Sequence, residues 1–107
     1  SMGFAYAVID AGIAYGENVE RVIAVMRDVG RAMRVDPLST PRILDDLEIA
    51  GVDQLADSAV VIRCRFRVAP LEQWNVRREY LQRLKEAFDR EGIEIPYPHR
   101  KIVQAQR

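Results

Sequence analysis

A single cysteine, Cys64, and a single histidine, His99, leave nothing from which to build an internal disulfide or a zinc cluster, and they give no sign of an oxidising compartment. A reducing cytoplasm is the expected setting. Excess charge of either sign is missing too. Sixteen Lys and Arg stand against sixteen Asp and Glu, so the chain lacks the net field that a nucleic-acid module or a membrane-surface domain uses to collect its partner. No apolar run approaches the ~18 to 20 residues that span a bilayer, and no signal-peptide core precedes the first strand, so the chain reads as soluble as it stands. Ser1-Met2-Gly3 reads as a cloning remnant before an internal start, which places any membrane segment of the gene product upstream.

What is present is one domain. At 107 residues and 49% hydrophobic content the chain can bury about two thirds of its unfolded surface without staples. From Tyr6 to Tyr15 the residues Tyr6, Val8, Ile9, Ile13 and Tyr15 predict a central strand. Asn18 then suits an N-cap, and Val19, Val22, Ile23, Met26, Val29 and Met33 recur at helical spacing to about Arg34, where Asp36-Pro37 stops the helix. Gly30 on its inner side allows close approach to a sheet. Residues 37–42 read as a loop, and Ile43 to Leu55 as a strand with a bulge or kink, because Asp45-Asp46 breaks the alternation.

Val60, Ile62, Cys64, Phe66 and Val68 alternate with Val61, Arg63, Arg65 and Arg67, the cleanest strand pattern in the chain. Its apolar side belongs under helices and its arginine side faces water or a partner. A second helix follows Pro70 to about Glu91, with Trp74, Leu81, Leu84 and Phe88 on one stripe and Tyr80 and Ala87 beside it. Gly92 suits the left-handed residue that ends a helix, Ile93 and Ile95 flank Glu94 as in a short fourth strand, and Pro96 and Pro98 then remove ladder donors. The expected fold is α+β, a ferredoxin-like β-α-β-β-α-β sandwich: a four-stranded antiparallel sheet with two helices on one face. Residues 4–98 form the domain, and 99–107 are a tail able to act as an oligomerisation strand.

The chemistry-bearing residues assemble no reaction centre. His99 has no companion ligands and reads as solvated. Cys64 lies in phase with Ile62 and Phe66, so a buried structural thiol is the simpler reading. Asp45, Asp46, Glu48, Asp53 and Asp57 lack the glycine and the bidentate glutamate of a calcium loop. Tyr15 to Asn18 caps a helix without a glycine cradle or lysine for phosphate. Trp74, in phase with Leu81 and Phe88, reads as a core or rim anchor rather than a ligand platform. No nucleophile, base and orienting acid come together, so no enzyme, cofactor or metal site is expected. The row Arg63, Arg65 and Arg67 alone suggests RNA, but that strand lacks the exposed aromatics such sheets stack on bases. A solvated or salt-bridged face is the simpler reading, and no nucleic-acid partner is expected.

Three stretches resemble the end of the small-conductance mechanosensitive channel family: Trp74-Asn75-Val76-Arg77-Arg78-Glu79, Leu84-Lys85-Glu86-Ala87-Phe88 and Gly92-Ile93-Glu94-Ile95-Pro96-Tyr97-Pro98. Ile13-Ala14-Tyr15 with Asn18-Val19 resembles that family's first strand and helix entry, and residues 51–60 its central hairpin, so the similarity runs from residue 6 to 104. The resemblance implies the C-terminal α/β part of a cytoplasmic cage that hangs below the inner membrane as a heptamer with lateral portals, in a channel that opens under tension and releases osmolytes. Membrane contact would come only through upstream segments absent from this chain. Gly16 stands where the family often has an acid, so no role of that acid carries over. The segment after Ile-Pro-Tyr-Pro joins its symmetry mates in the family. By that resemblance Pro96, Tyr97, Pro98, Ile102 and Val103 are candidate subunit contacts, and Arg63, Arg65 and Arg67 line a portal or the exposed sheet face. The rival reading is a free-standing regulatory ligand-binding domain of the same fold.

Overall fold

The order of elements along the chain follows from where apolar periodicity switches between two and 3.6 residues. The structure, a computed structural model, describes residues 3–96. Strand β1 (Ala5–Ile13) leads to helix α1 (Val19–Val35), a 3-10 turn (Thr40–Arg42) lies in the predicted loop, and strands β2 (Glu48–Leu55) and β3 (Val60–Val68) precede helix α2 (Gln73–Glu91). The sheet is antiparallel with order β1-β3-β2. β1 therefore lies at an edge instead of the centre expected for it, and the central place belongs to β3, whose flawless alternation matches burial on one face only.

The fourth strand is not formed among the described residues. The amide of Ala14 donates to the carbonyl of Glu94 at 3.1 Å, which starts an antiparallel pairing beside β1. A ladder continued in that register would set Pro96 against Gly12, and proline has no N–H to give. The sheet thus keeps three strands, α+β with two helices, and the ferredoxin-like outline stops one strand short.

The β1–β3 register runs unbroken from Ala5↔Val68 to Ile13↔Val60. That between β2 and β3 shifts twice, between Ile49 and Gly51 and between Val52 and Gln54. Each shift inserts one residue and resets the pleat. Ile49, Val52 and Leu55, three apart, consequently face the same side as Cys64, Ile62 and Val60, a spacing that conceals the strand from a period-two reading.

The core gathers Ile9, Ile13, Val22, Met26, Met33, Ile62, Phe66, Val76, Tyr80 and Phe88, all fully buried between the sheet and the two helices. Phe66 and Tyr80 meet edge to face with ring centroids 5.6 Å apart. Asn18 caps α1 as expected, its side-chain oxygen accepting from the Arg21 amide at 3.0 Å. Gly30 sits on the buried side of α1, where a Cβ would lie only 2.9 Å from that of Leu47, so this glycine sets how closely the helix approaches the segment leading into β2. The stripe of α2 is Val76, Tyr80, Leu84, Ala87 and Phe88. Trp74 is not part of it: at 56% exposed it stands clear of the core it was expected to anchor.

Candidate functional site

Alternation on β1 and β3 sends one set of side chains to the helices and the other to an uncovered sheet face. On that face Tyr6, Val8 and Asp10 of β1 stand opposite Arg67, Arg65 and Arg63 of β3, and Glu48 of β2 stands opposite Arg65 from the other side. Each arginine has a carboxylate. Arg63 donates Nε to Asp10 Oδ1 at 2.8 Å and Nη2 to Asp10 Oδ2 at 3.0 Å, with Asp53 3.7 Å away. Arg65 donates Nε to Glu48 at 2.7 Å, and Arg67 donates Nε to Asp45 at 2.7 Å.

Two aromatic rings complete the arrangement. The Arg65 guanidinium lies 4.0 Å from the centroid of the Tyr6 ring, and that of Arg67 lies 4.9 Å from Phe4. Phe4 and Tyr6 are themselves edge to face at 5.4 Å. The bond from Arg63 holds the Asp10 carboxyl below the usual carboxylate range, and Asp10 in turn raises the Arg63 guanidinium. The bond to Glu48 does the same for Arg65. Three guanidinium charges therefore face Asp10, Asp45, Glu48 and Asp53, and an incoming anion would have to displace a carboxylate. The sheet face is a compensated ladder, not a basic patch.

The second feature is the exit after α2. Gly92 adopts φ 70°, its amide donates to Asp89 O, and the amide of Ile93 donates to Phe88 O at 2.9 Å. This is a Schellman cap, and buried Ile93 and Phe88 supply the apolar contact that accompanies it. Glu17 accepts from the Glu94 amide at 2.8 Å, and the Arg21 guanidinium donates to the carbonyl of Glu91. The start of α1 and the loop before it thus clamp the chain as it leaves. Pro96 is the last described residue; Tyr97, Pro98, His99, Ile102 and Val103 lie outside the described residues.

Beyond these, Cys64 is a free, buried thiol that burial pushes up to about 11, which makes it inert near neutral pH. No group of histidine, cysteine, aspartate and glutamate side chains that could hold a metal occurs among the described residues. Among them no helix is long and apolar enough to cross a membrane. The structure places Arg63, Arg65 and Arg67 on one sheet face and adds Phe4, Tyr6, Asp10, Asp45 and Glu48, which the sequence pattern did not assign to that face. The signal for Asp10 and Glu48 was their charge opposite an arginine, legible only once the register is known.

The family model for the C-terminal part of the mechanosensitive ion channel MscS matches residues 7–95. The chain is 23% identical over 101 residues to the small-conductance mechanosensitive channel of Caldanaerobacter subterraneus subsp. tengcongensis, covering 94% of this chain and 35% of that protein. It is 31% identical over 99 residues to an uncharacterized MscS family protein of Archaeoglobus fulgidus, covering 92% of this chain and 32% of that one. The crystal structure of Helicobacter pylori MscS in its closed state superposes with a TM-score of 0.74 at 23% identity, over 98% of this chain and 40% of that chain, which establishes a shared fold. The chain spans about a third of the length of these two curated relatives.

Proposed function

Because the chain belongs to the MscS family as its C-terminal domain, we propose that it forms part of the cytoplasmic cage of a tension-gated channel that releases solutes on hypo-osmotic shock. The observation that carries this reading is the family match over residues 7–95, which runs from within β1 to beyond the end of α2. The domain itself contributes assembly and a wall for passing solutes; conduction belongs to membrane segments, and no helix among the described residues is long and apolar enough to be one. No catalytic role and no cofactor are part of the reading. In the full protein the expected state is a homo-oligomer, a heptamer by the family resemblance, on the cytoplasmic side of the inner membrane.

Two sets of residues take roles in this reading. The exit is clamped at Gly92 to Glu94 by the cap and by Glu17, and Pro96 has no N–H to offer a ladder on β1. Pro96, Tyr97, Pro98, Ile102 and Val103 then serve as contacts between subunits. Arg63, Arg65 and Arg67 line the exposed sheet face or a portal. With each arginine neutralised by a carboxylate, that wall has little ion preference of its own.

Patch recording of the full-length protein in a host stripped of its own mechanosensitive channels tests the reading, together with survival of that host on hypo-osmotic shock. Tension-activated current and rescued survival are expected; an absence of current at lytic tension rejects the channel assignment. Light scattering with Ile102→Asp tests the tail, for which loss of the oligomer is expected and an undisturbed oligomer is the contrary result.

A further inference from the structure

The arginines of this chain are not all compensated alike. On the flank of α1, Arg27, Arg31 and Arg34 recur at i, i+4 and i+7, which sets them within a ~60° arc over ~10 Å of helix axis. They line one side of an open cleft of about 450 Å³, whose other side is Asp46 and Leu47 from the segment leading into β2. Gly30 lets Leu47 close against the helix, since a Cβ there would come within 2.9 Å of the Leu47 Cβ. Three guanidinium groups thus share the cleft with one carboxylate, the reverse of the sheet face, where every arginine has its own acid.

The three arginines differ in what already holds them. Arg34 is anchored, donating Nε to Asp46 and Nη1 to the carbonyl of Ile43, both at 3.1 Å. Arg31 donates to Asp28 at 2.6 Å, but Asp28 does not line the cleft, and its side chain is 72% exposed, so the pair exchanges readily with solvent. Arg27 has neither a hydrogen bond nor an ion pair among the described residues. The negative end of the α1 dipole is partly answered as well: Thr40 Oγ1 donates to Arg34 O at 2.7 Å and the Asp36 amide to Met33 O.

We propose that this cleft binds a diphosphate-bearing anion, with Arg27 and Arg31 each taking one phosphoryl group and Arg34 neutralising Asp46. The inference stands on the α1 flank alone and does not depend on the channel reading. Arg27 and Arg31 lie one turn apart, ~6 Å along the axis, a separation that two long side chains close onto neighbouring phosphoryl groups. The guanidinium fork matches phosphoryl oxygens two at a time. A monocarboxylate would offer Arg31 nothing that Asp28 does not already supply, whereas a diphosphate brings more charge and reaches both turns at once. The volume falls among those of small-molecule sites, ~300 to 1,000 Å³, and leaves room beside Leu47 for the body of a diphosphate ester.

Titration calorimetry of the chain at low salt with inorganic pyrophosphate, ADP and orthophosphate is the test. Saturable 1:1 binding of pyrophosphate is expected, tighter than that of orthophosphate. Arg27→Gln and Arg31→Gln should each weaken it roughly tenfold or more, and Arg90→Gln, an exposed arginine of α2, should leave it unchanged. Arg27 has no partner in the fold to lose, so its variant should keep the thermal midpoint of the parent. Tighter binding of ADP identifies an ester as the source of the diphosphate, and tighter binding of pyrophosphate the free anion. No saturable heat with either, orthophosphate bound as tightly as pyrophosphate, or equal weakening by Arg90→Gln overturns the site.

Discussion

Arg63 and Asp10 face each other across the β1–β3 ladder, and the guanidinium donates two hydrogen bonds to the carboxylate, at 2.8 and 3.0 Å, which join an edge strand to the central strand on the uncovered side of the sheet. The pair draws its consequence from the depressed carboxyl of Asp10. A group whose folded pKa lies below its unfolded value stabilises above the unfolded value, about 3.9 for aspartate, and loses that contribution as pH falls through the folded value. Both side chains are nearly half exposed, so solvent screens the pair and a contribution of only ~0.2 to 1 kcal/mol is expected. Urea unfolding of the chain and of Asp10→Asn at pH 7 should show that gap, and the two curves should converge as the pH is lowered below 4. A gap that persists at acid pH would contradict the assignment.

Tyr80 supplies a second joint, in the core. Its hydroxyl donates to the carbonyl of Met26 at 2.9 Å, binding the middle of α2 to the middle of α1. Burial, with the neighbouring Cys64 thiol, raises the Tyr80 hydroxyl well above its ordinary range, so it stays a donor at any working pH. Tyr80→Phe keeps the ring against Phe66 and removes only the bond, with an expected cost of ~0.5 to 1.5 kcal/mol in chemical denaturation. An unchanged midpoint and slope would show that the bond contributes nothing net.

Gly92 and Leu71 have nearly the same backbone angle, φ 70° and 72°, and substitutions at the two should act in opposite directions. Gly92→Ala places a side chain in the left-handed region at the Schellman cap, at a cost of ~1 kcal/mol or more. Leu71 follows Pro70 in a turn closed by the Glu72 amide on Ala69 O at 3.1 Å, and its side chain is 77% exposed. Leu71→Gly relieves that strain and should stabilise by a few tenths to ~1 kcal/mol, less the entropy that glycine adds to the unfolded chain. Thermal midpoints moving the same way in both variants would refute the argument.

Cys64 should be chemically silent while the domain is folded. With its thiol pushed up to about 11 and no exposed surface, alkylation at pH 8 is expected to proceed only through unfolding, and to become rapid in denaturant. Native-state alkylation as fast as that of the unfolded chain would show an opening of the core that the packing does not suggest.

If the full-length protein is the channel proposed above, replacing Arg63, Arg65 and Arg67 by Gln in it should leave the reversal potential in a salt gradient within error of the parent. The ladder already cancels its charge, and its removal leaves the carboxylates Asp10, Asp45 and Glu48 near the surface. A shift toward anions on losing three cations would be incompatible with this account; a small shift toward cations is the largest change it permits.

Elements with uninterrupted periodicity were legible from residues alone. Val60 to Val68 alternates without a fault because one face is buried and the other ionic, α1 announces itself through Asn18 and its apolar stripe, and Gly92 marks the end of α2. Trp74 misled, since a helical stripe predicts which residues are in phase but not where the sheet beneath them ends. β2 was faint because its two bulges turn a spacing of two into a spacing of three.

The sequence by itself determined what was local: two helices, the Asn18 and Gly92 caps, one unmistakable strand, and the chain motifs that mark the family. Tertiary structure alone decided which strand is central, that no fourth strand forms among the described residues, and which carboxylate neutralises each arginine of the sheet face. Those relations depend on register, and register sets pairs such as Asp10 with Arg63 and Glu48 with Arg65, 53 and 17 positions apart, which no local pattern of side chains records.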